Sequence, residues 1–305
     1  MIRTPRITLL VGGVALASLA AAGCNDQGFT RRIDGTIAVV IGDFDNIQET
    51  FNRQEIDTVR YDGIISTATW VEDPDDFAPP QLSVEGLFTS ERNQELINHG
   101  AVFLSSGSRG FGDHIYTGLA PDDQIISDAV AVENALAYVR GGGTLVVTDW
   151  SYDLVNRAFP GSIDFLGDEA VLDDAQRGDI GRVQGYVVDE ELRQKLELDE
   201  AGNLAVDFNF SNWAVMEGID TSDDRVKVWI EGTITYRDAS GEGTQTIERA
   251  PLLVTIDTGG EFQGRLVFSS FHLDAQNPAV VDPMLELLVG ELGVSQVITD
   301  PGVQE

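Results

Sequence analysis

The sequence predicts an α/β fold, a mainly parallel sheet sandwiched by helices. Three observations predict it. Thr36-Ile37-Ala38-Val39-Val40-Ile41, Ala101-Val102-Phe103-Leu104 and Thr144-Leu145-Val146-Val147-Thr148 are unbroken apolar or β-branched runs, the pattern of strands buried on both faces. Segments of helical spacing lie between such runs, as a parallel sheet requires. Each run then ends in small or polar residues, Gly42-Asp43, Ser105-Ser106-Gly107 and Asp149-Trp150-Ser151. In an open α/β sheet the carboxyl ends of the strands are where ligands bind.

The elements follow in order. Residues 1–23 read as an export signal: Arg3 and Arg6 precede an apolar stretch over 7–22, too short to span a bilayer comfortably, and a small-residue run leads to the single cysteine, Cys24. Residues 24–35 read as a tether, and 36–294 as one α/β domain with an insertion at about 162–250. Within the domain, residues 49–57 favour a helix, 61–66 a second strand, and 91–98 a short helix. A helix beginning at Asp122-Asp123 holds Ile125, Ile126, Ala129, Val132, Leu136 and Val139 at helical spacing and stops at Gly141-Gly142-Gly143. A short helix over 152–157 ends before Pro160. The insertion offers a strand over 182–188, a helix over 189–196, and a hairpin of 226–236 with 246–256. Residues 264–270 form the last strand, 278–292 the closing helix, and 295–305 a tail.

Composition sets limits. Of the 305 residues 42% are apolar, enough for a full core, and 51 acidic against 19 basic residues give a formal charge of −32. Such a chain has no basic surplus with which to neutralise phosphates, so nucleic acid is excluded as a partner. One cysteine excludes an intrachain disulfide framework. Cleavage before Cys24 would remove Arg3 and Arg6, taking the charge from −32 to −34 and leaving Lys195 and Lys227 as the lysines.

Two resemblances are carried by these motifs. Ala21-Ala22-Gly23-Cys24 resembles the lipobox of bacterial lipoproteins, with Ala21 where that family usually has Leu. The resemblance implies a lipidated Cys24 as the membrane partner and residence at the bacterial cell envelope, at the outer membrane or periplasmic face. Gly264-Arg265-Leu266-Val267-Phe268-Ser269-Ser270, followed by His272-Leu273-Asp274, is similar to the end of class I glutamine amidotransferase-like domains, a flavodoxin-like superfamily that includes the ThuA-like proteins. Gly141-Gly142-Gly143-Thr144-Leu145-Val146-Val147-Thr148 looks like the strand entering that family's nucleophile turn. The family uses a cysteine there, activated by the histidine. Here the turn holds Asp149, Trp150 and Ser151, so thiolate chemistry is excluded.

The resemblance therefore implies a site that has lost its nucleophile. Its expected pocket is Gly42, Asp43, Ser105, Ser106, Gly107, Asp149, Trp150 and His272. Candidate catalytic residues are Ser151 as nucleophile, His272 as base and Asp274 or Asp149 as orienting acid, set against Ser151 or Asp149 capping the following helix. No glycine-flanked serine elbow surrounds Ser151. On this reading His272→Ala has a modest effect on stability. No cofactor or metal is expected. Asp43-Phe44-Asp45-Asn46 and Asp73-Pro74-Asp75-Asp76 place Ile47 and Phe77 where a calcium loop needs oxygen, His99, His114 and His272 lack zinc spacing, and Gly110-Phe111-Gly112 has Ile115 in place of a third glycine. The leading expectation is an exported, lipid-anchored, non-catalytic binding or scaffold domain, partnered by an envelope protein or a small polar ligand. The alternatives are a hydrolase using Ser151 and His272, and a calcium-dependent carbohydrate-binding module.

Overall fold

The computed structural model describes residues 36–64, 82–112, 123–168, 172, 174–210, 213–219, 224–237, 243–258 and 264–291. The expected signal, Cys24, the tether, the 73–76 loop, His114, the helix start at Asp122 and the tail lie outside the described residues.

Twelve strands and six α-helices are described: β1 (Ile37–Ile41), α1 (Ile47–Arg53), β2 (Thr58–Asp62), β3 (Leu82–Ser83), α2 (Val84–Thr89), β4 (Ala101–Leu104), α3 (Ala129–Arg140), β5 (Thr144–Thr148), α4 (Tyr152–Ala158), β6 (Asp164–Phe165), β7 (Gly181–Val187), α5 (Glu190–Lys195), β8 (Asn203–Phe208), β9 (Met216–Gly218), β10 (Val226–Arg237), β11 (Thr244–Asp257), β12 (Arg265–Ser269) and α6 (Pro278–Glu291). Ten strands form one sheet in the order β3-β2-β1-β4-β5-β12-β11-β10-β7-β8, and β6 pairs with β9 in a second. From β3 to β12 all neighbours are parallel. The order of β2, β1, β4, β5 and β12 is 2-1-3-4-5, the flavodoxin-like winding. From β12 outward the pairing is antiparallel.

The unbroken apolar strands have a direct structural cause. In β1, Ala38 and Val40 face a core shared with α2, α3 and α4, while Ile37 and Val39 face another shared with α1, α5 and α6. Val102 and Leu104 alternate with Ala101 and Phe103 in the same way, as do Leu145 and Val147 with Val146. Successive side chains of a strand point to opposite faces, so a sheet covered on both sides demands apolar residues at every position.

The expected hairpin is β10 with β11, but it is not a separate insertion. Leu253 to Asp257 of β11 pair with β12, so the hairpin extends the main sheet. Two helix expectations are corrected. Residues 91–98 form two 3₁₀ turns, because Arg92 and Asn93 adopt positive φ (55° and 62°); the α-helix lies earlier, over α2, with the Ser83 hydroxyl accepting from the Gly86 amide. The helix after β4 starts at Ala129, capped by the Asp128 carboxylate on the Val130 amide; Ile125–Ser127 is a 3₁₀ turn. Among the described residues no helix is long and apolar enough to cross a membrane.

Candidate functional site

The parallel strands all deliver their carboxyl ends to one edge of the sheet. The loops there are packed against each other. A Cβ on Gly42 would collide with the Ser106 carbonyl, and one on Gly107, which has φ +73°, would collide with the Phe44 ring. The Asp43 amide donates to the Gly107 carbonyl at 3.2 Å. These glycines let the β1 and β4 loops touch.

Asp149 follows β5 and takes a left-handed conformation, φ +46°. For a non-glycine residue that costs about 1–3 kcal/mol, and the surrounding contacts hold it there. Its Oδ2 lies 2.7 Å from His272 Nε2 and accepts from the Ser106 hydroxyl at 3.3 Å; its Oδ1 accepts from the Ala214 amide at 3.3 Å. His272 and Asp149 are 2% and 3% exposed. Three donors converge on the carboxylate, so the hydrogen between the pair belongs to Nε2. Burial pushes the Asp149 carboxyl up, against the pull of His272, the Ala214 amide and Ser106. Burial pulls the His272 imidazole down, but the hydrogen bond and charge of Asp149, with Asp45 and Asp274, outweigh it and hold the ring at about 9.

A second acidic contact lies beside this pair. The Thr148 hydroxyl donates to Asp45 Oδ2 at 2.9 Å and itself accepts from the Ser106 amide at 2.9 Å. The Asn46 amide donates to Asp274 Oδ2 at 2.9 Å. The two carboxyls adjoin, and burial, then the Asp274 charge, push Asp45 up to about 7.

The expected roles change accordingly. Ser151 and His272 are not hydrogen-bonded to each other. The Ser151 hydroxyl is turned to the carbonyls of Ser105 and Phe111, at 3.4 and 3.5 Å, and His272 Nε2 is engaged by Asp149. Neither Ser151 nor Asp149 caps α4, since no side-chain cap bond is made and Asp149 is held by His272. Asp274 does not orient the ring through Nε2; Asp149 does. Trp150 is 1% exposed and packs edge-on against Tyr152 at 5.3 Å, within the core beneath α4.

Among the described residues the expected lining is largely buried. Ser105 and Ser106 are each 1% exposed. At the rim, a niche bounded by Phe208, Phe210, Trp213, Asp149 and His272 leaves no room for a water-sized group. Phe210 covers the imidazole at 5.3 Å between centroids, and Phe44 packs on Phe210 at 5.2 Å. Among the described residues, no three His, Cys, Asp or Glu side chains are arranged to hold a metal ion. The residue that sequence reasoning missed is Asp45. Its position, two residues past Asp43 at a strand end, was the available signal.

No family model matches this chain, and no curated protein matches it either. Solved structures resemble it at low identity. The structure described as the mmIFT52 N-terminal domain is 11% identical, covers 86% of this chain and 99% of its own, and gives a TM-score of 0.48. A ThuA-like protein from Bacteroides uniformis is 10% identical over 83% of this chain and 90% of its own, at 0.45. PurLQS from Thermotoga maritima is 11% identical over 83% and 99%, at 0.42. Likenesses at these scores carry no functional argument, and the α/β class stands on the chain's own strand order.

Proposed function

We propose that this chain is an exported, lipid-anchored protein of the bacterial cell envelope, and that its amidotransferase-like domain is a non-catalytic binding or scaffold module. The observation that carries the reading is the buried His272–Asp149 pair. A general base needs a free ring nitrogen within reach of a nucleophile's proton. Here Nε2 faces a carboxylate that occupies the strained position where a nucleophile would stand, the ring keeps its proton to about pH 9, and the Ser151 hydroxyl is turned to the Ser105 and Phe111 carbonyls and not to His272. Among the described residues the niche beside His272 has no room for a water-sized group, which supports a partner bound on the surface while the rim is fastened. The Ser151 hydrolase reading lacks its serine–histidine contact, and the calcium-dependent reading lacks a ligand set among the described residues.

The test is a panel of ester, amide and glutamine substrates offered to the purified chain and to Ser151→Ala and His272→Ala. We expect no turnover above a buffer control for any of the three. Turnover by the wild type that both substitutions abolish, with the fold intact by circular dichroism, overturns the non-catalytic reading.

A further inference from the structure

We propose that Asp45 and Asp274 form a proton-held clasp between the β1–α1 and β12–α6 loops, which fastens the rim of the strand-end site while one proton lies between them and lets it loosen when that proton leaves.

The geometry stands first. Asp45 is 2% exposed, and its Oδ2 accepts from Thr148, but its Oδ1 has no partner. Asp274 accepts from the Asn46 amide through Oδ2, and its Oδ1 has no partner either. Two adjoining carboxyls thus each leave one oxygen without a donor, a costly arrangement for buried groups. One proton held between them supplies the missing donor: Asp45 keeps its O–H and donates to the Asp274 carboxylate. Loss of that proton to water leaves two carboxylates in contact, which repel.

The groups acting on Asp45 fit this account. Asp274 comes from the loop after β12, and its charge favours the protonated form. His272 comes from the end of β12, and its charge opposes it. Thr148 at the end of β5 donates to the ionised form, and Asp149 beyond it is engaged by His272. Burial outweighs the opposing contributions and sets the carboxyl near 7. The His272 imidazole, held at about 9, keeps its proton through the same range.

The clasp fastens more than two side chains. The Asn46 amide, just ahead of α1, is tied to Asp274. Phe44, one residue before Asp45, lies against Gly107 and on Phe210, which covers His272. Release of the β1–α1 loop therefore loosens the aromatic cover of the His272–Asp149 pair. This consequence follows from the packing and does not depend on whether the domain is anchored or lacks catalysis.

Hydrogen–deuterium exchange of the full chain tests it, read on peptides covering residues 43–47 from pH 5.5 to 8.5, with each rate divided by the intrinsic rate at that pH. Protection in the wild type should fall about tenfold between pH 6 and pH 8, because each pH unit above the midpoint reduces the protonated fraction about tenfold. Asp45→Asn should flatten that profile. The asparagine still accepts from Thr148 through Oδ1 and donates permanently to Asp274 through Nδ2. Asp274→Asn should do the same from the other side, and carries the test if Asp45→Asn fails to fold. Peptides from β4 and β5 should keep their protection throughout. Flat wild-type protection, the same fall in a folded asparagine variant, or parallel loss in β4 and β5 overturns the clasp.

Discussion

Replacing His272 by alanine should destabilise the domain by about 3 kcal/mol at pH 7, more than the modest effect the sequence alone suggests. The substitution removes the 2.7 Å contact to Asp149 and leaves that carboxyl, 3% exposed, with two longer donors at 3.3 Å. Breaking a buried ion pair from one side costs about 3–5 kcal/mol. Proton linkage gives a second figure. An imidazole held at about 9 against an ordinary 6.5 corresponds to about 3.4 kcal/mol at about 1.36 kcal/mol per unit. The sign follows from the raised value: this stabilisation is complete below pH 6.5 and is lost as pH rises through 9. In the variant, burial lets Asp149 take up a proton instead, which softens the loss in acid. The cost should therefore be smaller at pH 5 than at pH 7. Urea unfolding followed by circular dichroism at pH 5 and 7 measures both. His272→Gln, whose amide can donate to Asp149, should recover about half of the loss at pH 7. A cost below about 1 kcal/mol at pH 7, or a larger cost at pH 5 than at pH 7, would refute the view of this pair as a buried strut.

Three further outcomes are expected. Between about pH 4 and pH 7 wild-type stability should fall as pH rises, because Asp153, raised to about 8 chiefly by burial, and Asp45 and Asp168, each raised to about 7, lose their stabilisation over one window; stability from a raised acid is lost as pH climbs from its ordinary value through its folded one. His99, which burial lowers to about 4, opposes this with one group, its share being lost as pH falls from 6.5 through 4. Asp153→Asn should raise the urea midpoint at pH 8 by the equivalent of roughly 1–3 kcal/mol and leave pH 4 nearly unchanged; an equal effect at both pH values would remove Asp153 from the account. Cys24→Ser should move the protein from the membrane to the soluble fraction, and retention on membranes through a high-salt wash would defeat the lipid-anchor proposal.

The strands of the parallel half were legible because two covered faces force a continuous apolar code on β1, β4, β5 and β12. β8 was not read from the sequence. Its burial alternates from exposed Asn203 to buried Phe208, a half-covered edge pattern that charged neighbours obscure. The helix misassigned to 91–98 fails on Arg92 and Asn93, whose positive φ no spacing rule foresees. At the site, Asp149 and His272 were legible as strand-end residues, but the choice between Asp149 and Asp274 as the histidine's partner was not. They lie 123 positions apart, and only the 2-1-3-4-5 winding brings β5 and β12 side by side. Asp45 was read as part of an acidic loop that fails the calcium pattern because burial, which turns a solvated acid into a buried and perturbed one, has no local signature.

The two acidic contacts at the sheet edge have different endurance, and that difference shapes what the rim can do. The His272–Asp149 pair joins β12 to the turn after β5 and keeps its proton to about pH 9. The Asp45–Asp274 contact joins the loops in front of it, with the Asp45 carboxyl near 7. Between those values the outer contact loosens while the inner one still holds β5 and β12 in place. Phe44 and Phe210, which lie over the pair, are tied down by the weaker of the two. The order of failure on raising the pH is therefore rim first and sheet second. A domain that had kept its histidine and aspartate for packing alone would need no such separation, because one contact would serve. If the exchange experiment finds the loop opening while β4 and β5 stay protected, the inner pair is a fixed floor, and the outer carboxyls decide whether a partner's side chain can reach it.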